Sequence, residues 1–158
     1  MKKKRVMFIS SVGGHLTQLL QLKNIFDDYN YVLITEKNDV TKDLVNKYHV
    51  NYLPYGSRNQ KFIYPFILLY SCFKSLFYFI KYRPSVIITT GANTAAAMCC
   101  IGKIFRKKVI YIESFAKRNT PTITGKCIYK LGAYTTFVVQ WKSMLEVYPK
   151  AEFWGGIY

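Results

Sequence analysis

Acidic side chains are scarce in this sequence, with 8 Asp and Glu against 23 Lys and Arg, which leaves a formal charge of +15 on 158 residues. Such a balance draws in phosphates, whether of nucleic acid, anionic lipid or nucleotide sugars. The basic residues cluster at 2–5, Arg58/Lys61, Lys81/Arg83, Lys103/Arg106 to Lys108, Lys117/Arg118 and Lys126/Lys130. No helix-turn-helix, finger or RNA-binding signature stands beside them, so nucleic acid is set aside as a partner. Cys72, Cys99, Cys100 and Cys127 lack metal-ligand spacing, and the opening MKKKR runs straight into a strand-like VMFIS without a signal-peptide core. Both features suit a reducing cytoplasm, with the cysteines as small buried hydrophobes. Low-complexity tracts, internal repeats and Pro/Gly/Ser-rich linkers are also missing. With 51% hydrophobic and 17% aromatic residues, the chain reads as a folded single domain over 1–158.

What is present is a repeating pattern. Short β-branched or aromatic runs occur at 6–10, 31–35, 50–54, 86–90, 109–113 and 136–140, each followed by a stretch that reads as helix. Runs such as VIITT and VIYIE are apolar on consecutive residues, as strands covered on both faces must be. The fold class is therefore α/β, a Rossmann-like parallel sheet flanked by helices, and ligands are expected beyond the carboxyl ends of its strands.

Two loops at that edge carry candidate chemistry. The first, SSVGGH, follows the first strand and opens a helix, where free amides and the positive end of the dipole attract an anion. Ser11, Gly13 and Gly14 are candidate substrate contacts there, and His15 is a candidate base because imidazole titrates near neutrality. The alternative is a plain tight turn with His15 capping or packing. The second loop, TTGANT, repeats the device: Gly91 permits the turn, and Asn93 and Thr94 either cap the next helix or bind ligand. Glu113 and Ser114 end the next strand at the same edge, where the carboxylate holds a sugar hydroxyl or pairs with Lys117 or Arg118. The dinucleotide fingerprint G-x-G-x-x-G is absent, and Glu36 reads as a solvated strand-end residue. His49 reads as structural or surface.

The segment 62–82, FIYPFILLYSCFKSLFYFIKY, is the most apolar and aromatic of the chain. Pro65, Lys74 and Lys81 interrupt the run of about 20 apolar residues that a spanning helix needs. Wound as a helix, Ser71, Lys74, Ser75, Tyr78 and Tyr82 share one face, opposite a broad Phe/Leu/Ile face. Three readings stay open: an interfacial membrane helix, a core helix and, as the least favoured, a spanning helix. On the first, Phe62, Phe66, Leu69, Phe73 and Phe77 insert into lipid while Lys81 and Arg83 meet headgroups.

In this order, SSVGGHLTQLLQL, IITTGANTAAAM and YIESFAKRNTPTITGKCIYKLGAYTTFVVQWKSMLEVYPKAEFWGG resemble the amino-terminal domain of GT-B glycosyltransferases related to MurG. They more closely resemble the asparagine-linked glycosylation protein 14 family, together with bacterial capsule and exopolysaccharide proteins of the PssD and CpsF kind. The resemblance covers essentially the whole chain. It implies an acceptor-side half of a two-part enzyme, which recruits a donor-binding catalytic subunit to the cytoplasmic membrane face. The acceptor would be a lipid-diphosphate-linked sugar, the donor a UDP-sugar held mainly by the partner, and no metal or other cofactor is implied. It further implies that Gly13, Gly14 and His15 face the diphosphate and that His15 assists deprotonation of the acceptor hydroxyl. Eukaryotic members carry an amino-terminal transmembrane anchor, whereas here Lys2 to Arg5 precede the first strand directly, which leaves 62–82 as the candidate anchor. A regulatory nucleotide or lipid-phosphate binder and a self-sufficient small transferase are the alternatives.

Overall fold

The structure is a computed structural model that describes residues 3–56 and 62–157. Lys2, Arg58 and Lys61 of the basic clusters lie outside the described residues. Seven strands form one sheet: β1 (Arg5–Ile9), β2 (Asn30–Glu36), β3 (Val50–Leu53), β4 (Val86–Thr89), β5 (Lys108–Ile112), β6 (Thr136–Val139) and β7 (Glu152–Phe153). Their order is β3-β2-β1-β4-β5-β6-β7, and every neighbouring pair is parallel. Met7 of β1 stands beside Val32 on one side and Ile87 on the other. The chain runs outward from β1 in both directions, so the gap between the loops after β1 and β4 is the topological switch point, where ligands of such sheets bind.

The consecutive apolar residues of the strands serve two separate cores. Met7, Ile9, Val32, Ile34 and Ile87 face one layer of helices. Val6, Phe8 and Leu33 face the other. The first layer holds α2 (Tyr64–Tyr82), α3 (Asn93–Ile104), α4 (Ile123–Leu131) and the short α5 (Met144–Val147), with Phe79, Met98, Ile128 and Tyr148 buried against the sheet. The second holds α1 (Gly14–Leu20), continued by a 3-10 helix at Gln21–Asp28, with Leu16, Leu19 and Phe26 buried. Helix α3 lies close on the sheet because Gly102 has no side chain. A Cβ there would stand 2.6 Å from Val109 Cγ2 and 2.8 Å from Ile87 Cδ1.

Several details differ from the pattern read in the sequence. After β2 the chain makes a 3-10 turn, Lys42–Asn46, in place of an α-helix. Asn38 accounts for this, since its Oδ1 accepts from the amides of Val40 and Thr41 at 3.0 Å each and closes a turn that competes with helix. Strand β7 escaped notice because it has two residues, both exposed, and so no hydrophobic run. Of the cysteines expected inside, only Cys99 is buried, while Cys72 and Cys127 are exposed.

Helix α2 resolves the choice between core and exposed helix by doing both. Pro65 sits in its first turn, where no intrahelical amide is required. Ser75, Tyr78 and Phe79 are buried, and the Tyr78 hydroxyl donates to the Tyr52 carbonyl at 2.9 Å. The polar-looking face therefore packs on the protein. The opposite face exposes Phe66 (73%), Leu69 (57%), Phe73 (64%) and Phe77 (59%), and Phe62, in the turn before the helix, is 92% exposed. Lys81 and Arg83 follow, exposed, with Arg83 ending the helix in the left-handed region at φ 44°. Among the described residues, no helix is long and apolar enough to cross a membrane.

Candidate functional site

A cleft of about 420 Å³ opens at the carboxyl edge of the sheet, lined by Ser11, Val12, His15 and Asn93. Glu36 and Tyr64 line it as well, with Lys117 and 121–124 completing the wall. Two similar loops build it. Helix α1 starts after Gly13, at φ 83° and ψ −147°, and α3 starts after Ala92, at φ 70° and ψ 174°. Glycine adopts that conformation without penalty, whereas Ala92 holds it at a cost of about 1–3 kcal/mol. Gly91, at φ 97°, is required beside it: a Cβ there would lie 2.6 Å from the Tyr111 hydroxyl. At Gly13 and Gly14 a Cβ would meet nothing within 4 Å, so there the backbone borders open space.

Hydrogen bonds lock the loops to each other. The Thr90 hydroxyl donates to the His15 carbonyl at 2.6 Å, and His15 Nδ1 lies 2.8 Å from the Thr90 carbonyl oxygen. A carbonyl only accepts, so Nδ1 carries the proton. In the neutral ring Nε2 is then the basic nitrogen, and it has no partner among the described residues. Ser11 Oγ donates to Thr94 Oγ1 at 2.7 Å, and Thr94 Oγ1 donates in turn to Glu36 Oε1. The Val12 amide approaches Glu36 Oε2 at 3.4 Å. The capping position of α3 is Ala92, not Asn93 or Thr94. Thr94 ties α3 to β2, while Asn93 Nδ2 donates to the Tyr64 hydroxyl at 2.7 Å and its Oδ1 accepts from Thr124 Oγ1 at 3.3 Å.

Glu36 is the residue that sequence reading missed. It is half-buried in the cleft wall rather than solvated, because β2 neighbours β1 and ends level with both glycine loops. No local pattern marks it, since only strand order brings it there. Lys117, named in the sequence within a basic cluster and as an ion-pair partner for Glu113, is half-buried and lines the same cleft.

Glu113 takes a third role in place of the two expected. It is 1% exposed and lies beneath the site, where its carboxylate accepts from the Ser114 amide, the Thr122 hydroxyl and the Tyr148 hydroxyl at 2.8 Å each. Its carbonyl accepts from Gln140 Nε2 at 2.8 Å. Ser114, also buried, is 3.5 Å from Gln18 Nε2, and Gln18 Oε1 accepts from the Phe115 amide at 3.1 Å. These bonds fix the loop 114–122, which carries Lys117 into the cleft. Gly125 makes room for the carboxylate, as a Cβ there would stand 2.0 Å from Glu113 Oε2. Burial and the adjacent Glu113 push the Tyr148 phenol above its ordinary pKa, and burial does the same to Tyr111.

The site combines an imidazole, hydroxyl and amide groups, one carboxylate and one ammonium. Among the described residues, no three His, Cys, Asp or Glu side chains gather as a metal site would require.

Comparison with known proteins follows the same lines. The sheet and its helices resemble those of MurG from Acinetobacter baumannii, with a TM-score of 0.70 at 14% identity over 89% of this chain and 42% of that one. UDP-N-acetylglucosamine 2-epimerase from Rickettsia bellii gives a TM-score of 0.70 at 10% identity, over 98% of this chain and 45% of that one. At such identities the likeness is one of fold, and the chain spans less than half the length of either protein. In sequence, the human UDP-N-acetylglucosamine transferase subunit ALG14 is 26% identical, with 96% of this chain aligned to 82% of that protein. Its counterpart in Kluyveromyces lactis is 34% identical over 46% of this chain and 33% of its own. The family model described as oligosaccharide biosynthesis protein Alg14 like matches residues 57–157. Strand order, paired glycine loops and this match agree: the chain belongs to the Alg14-like family.

Proposed function

We propose that this chain is the membrane-docking, acceptor-binding subunit of a two-part glycosyltransferase. A separate catalytic subunit supplies the nucleotide-sugar donor, and the acceptor is a sugar carried on a lipid diphosphate at the cytoplasmic membrane face. One observation carries the reading: α2 joins the cleft to an exposed apolar face. Its first residue, Tyr64, lines the cleft and binds Asn93, while Phe66, Leu69, Phe73 and Phe77 of the same helix stand out from the protein. A ligand with a polar head and a lipid tail suits that continuity. The net charge of +15 favours an anionic bilayer. The relatives' names, which call them transferase subunits, support a divided enzyme. Assembly of capsule or exopolysaccharide is the setting proposed for the product.

Within the cleft His15 is the proposed base. With Nδ1–H held by Thr90, Nε2 is set to take the proton of an acceptor hydroxyl as that oxygen attacks the donor sugar. Ser11 and Asn93 line the same space to orient it, and the glycine loop brings backbone close to the ligand.

The test is transfer from radiolabelled UDP-sugars to membrane acceptor lipid, by this chain, by the co-expressed donor-binding subunit and by both. Activity is expected only from the pair, with a loss of about 100-fold or more in His15→Ala, as for removal of a general base. Full activity from this chain alone would overturn the division of labour. In co-sedimentation with anionic vesicles, Phe66→Glu and Phe73→Glu are each expected to weaken binding about 10-fold or more, given about 1.5–3 kcal/mol for transferring a Phe out of water. Unchanged binding would remove α2 as the docking face.

A further inference from the structure

We propose that the cleft is electrically polarised and takes its ligand in one direction, with the diphosphate at Lys117 and a hydroxyl or N–H of the acceptor sugar on Glu36. This rests on the acceptor-binding reading and adds an orientation to it. The two side chains are opposite charges in one cleft, yet they do not pair. Among the described residues the ion pair is that of Lys42 with Asp39, at 3.4 Å, and Lys117 has no partner. Sheet order explains their separation. Glu36 ends β2 and Lys117 follows β5, with β1 and β4 between them. Three inter-strand steps amount to about 14 Å at the backbone.

Each end selects a different chemistry. At one, the Glu36 carboxylate already occupies the place near the starts of α1 and α3 where an anion would otherwise settle. It holds the Val12 amide at 3.4 Å and the Thr94 hydroxyl, itself bonded to Ser11 at 2.7 Å. A phosphate there would face a like charge. A carboxylate has about four acceptor positions, so oxygens that receive two donors still accept from a sugar hydroxyl or amide. At the other end, Lys117 stands beside the start of α4, whose dipole adds positive character after the Thr122 cap. Ile123, 76% exposed, lines the same end. The diphosphate is thereby assigned to the loop 114–122, not to the Gly13–Gly14 loop where the family resemblance puts it.

The experiment measures binding of two probes to the full chain in detergent micelles. One is farnesyl diphosphate; the other is the same lipid diphosphate capped with glucose, galactose or N-acetylglucosamine, taking whichever binds tightest. Lys117→Gln is expected to weaken both probes about 10-fold or more, and Lys117→Arg to restore them. Glu36→Gln, which keeps an amide oxygen for Thr94, is expected to weaken the capped probe at least about 5-fold while leaving farnesyl diphosphate unchanged or tighter. Equal weakening of both probes by Glu36→Gln, or indifference of both to Lys117→Gln, would overturn the orientation. If the unaltered protein binds both probes and only these variants fail to discriminate, the orientation falls alone. If it binds neither, the acceptor-binding reading falls and takes the orientation with it.

Discussion

Replacing Tyr148 by Phe removes one oxygen and nothing else, and that oxygen donates to a carboxylate buried beneath the site. Tyr148 is 2% exposed, Glu113 is 1% exposed, and the bond between them is 2.8 Å long. A hydrogen bond to a charged group contributes about 1.5–3 kcal/mol, and here water is excluded from both partners. For a chain of this size each kcal/mol moves the melting temperature by about 2–4 °C, so Tyr148→Phe is expected to lower Tm by about 3–12 °C. The same variant carries a pH signature. The folded protein raises the phenol's pKa above the unfolded value of about 10, so it favours the protonated form. That contribution is intact below about pH 10 and is lost as pH rises further, when the unfolded chain ionises first. Thermal melts of both proteins between pH 7 and 11 are the assay. The unaltered protein should lose stability above about pH 10 more steeply than the variant. A Tm shift under about 2 °C at pH 7, or parallel alkaline curves, would refute the view that Tyr148 holds the Glu113 carboxylate.

Gly125→Ala is expected to be worse than loss of Tyr148, by at least about 3 kcal/mol, because a Cβ 2.0 Å from Glu113 Oε2 displaces a buried charge from its donors; soluble yield and Tm report it. Gly102→Ala forces α3 from the sheet, since its Cβ would stand 2.6 Å from Val109, and should cost about 1–3 kcal/mol in denaturant unfolding. Ala92→Gly runs the other way, relieving a positive φ of 70° and raising stability by about 1 kcal/mol, read as a higher midpoint in urea.

The parallel α/β class was legible because strands buried on both faces must be apolar at consecutive positions, as VMFI and VIIT are. Both glycine loops were legible because a strand-to-helix turn with positive φ leaves glycine in the sequence, and Gly13 and Gly91 adopt it. The apolar stripe of α2 was equally plain, since helical spacing alone collects Phe66, Leu69, Phe73 and Phe77. None of this needed a tertiary contact. Strand order did, and with it the arrival of Glu36 in the cleft 58 residues away from Thr94, its hydrogen-bond partner. Burial depth did too, turning Glu113 from an expected sugar or lysine partner into the centre of an interior network. The direction α2 faces was decided in the same way: Ser75 and Tyr78 pack inward because the sheet supplies Tyr52 and the neighbouring core, so the more apolar face is left outside. Periodicity says which residues share a face, while only packing against distant segments decides which face is covered and which charges meet.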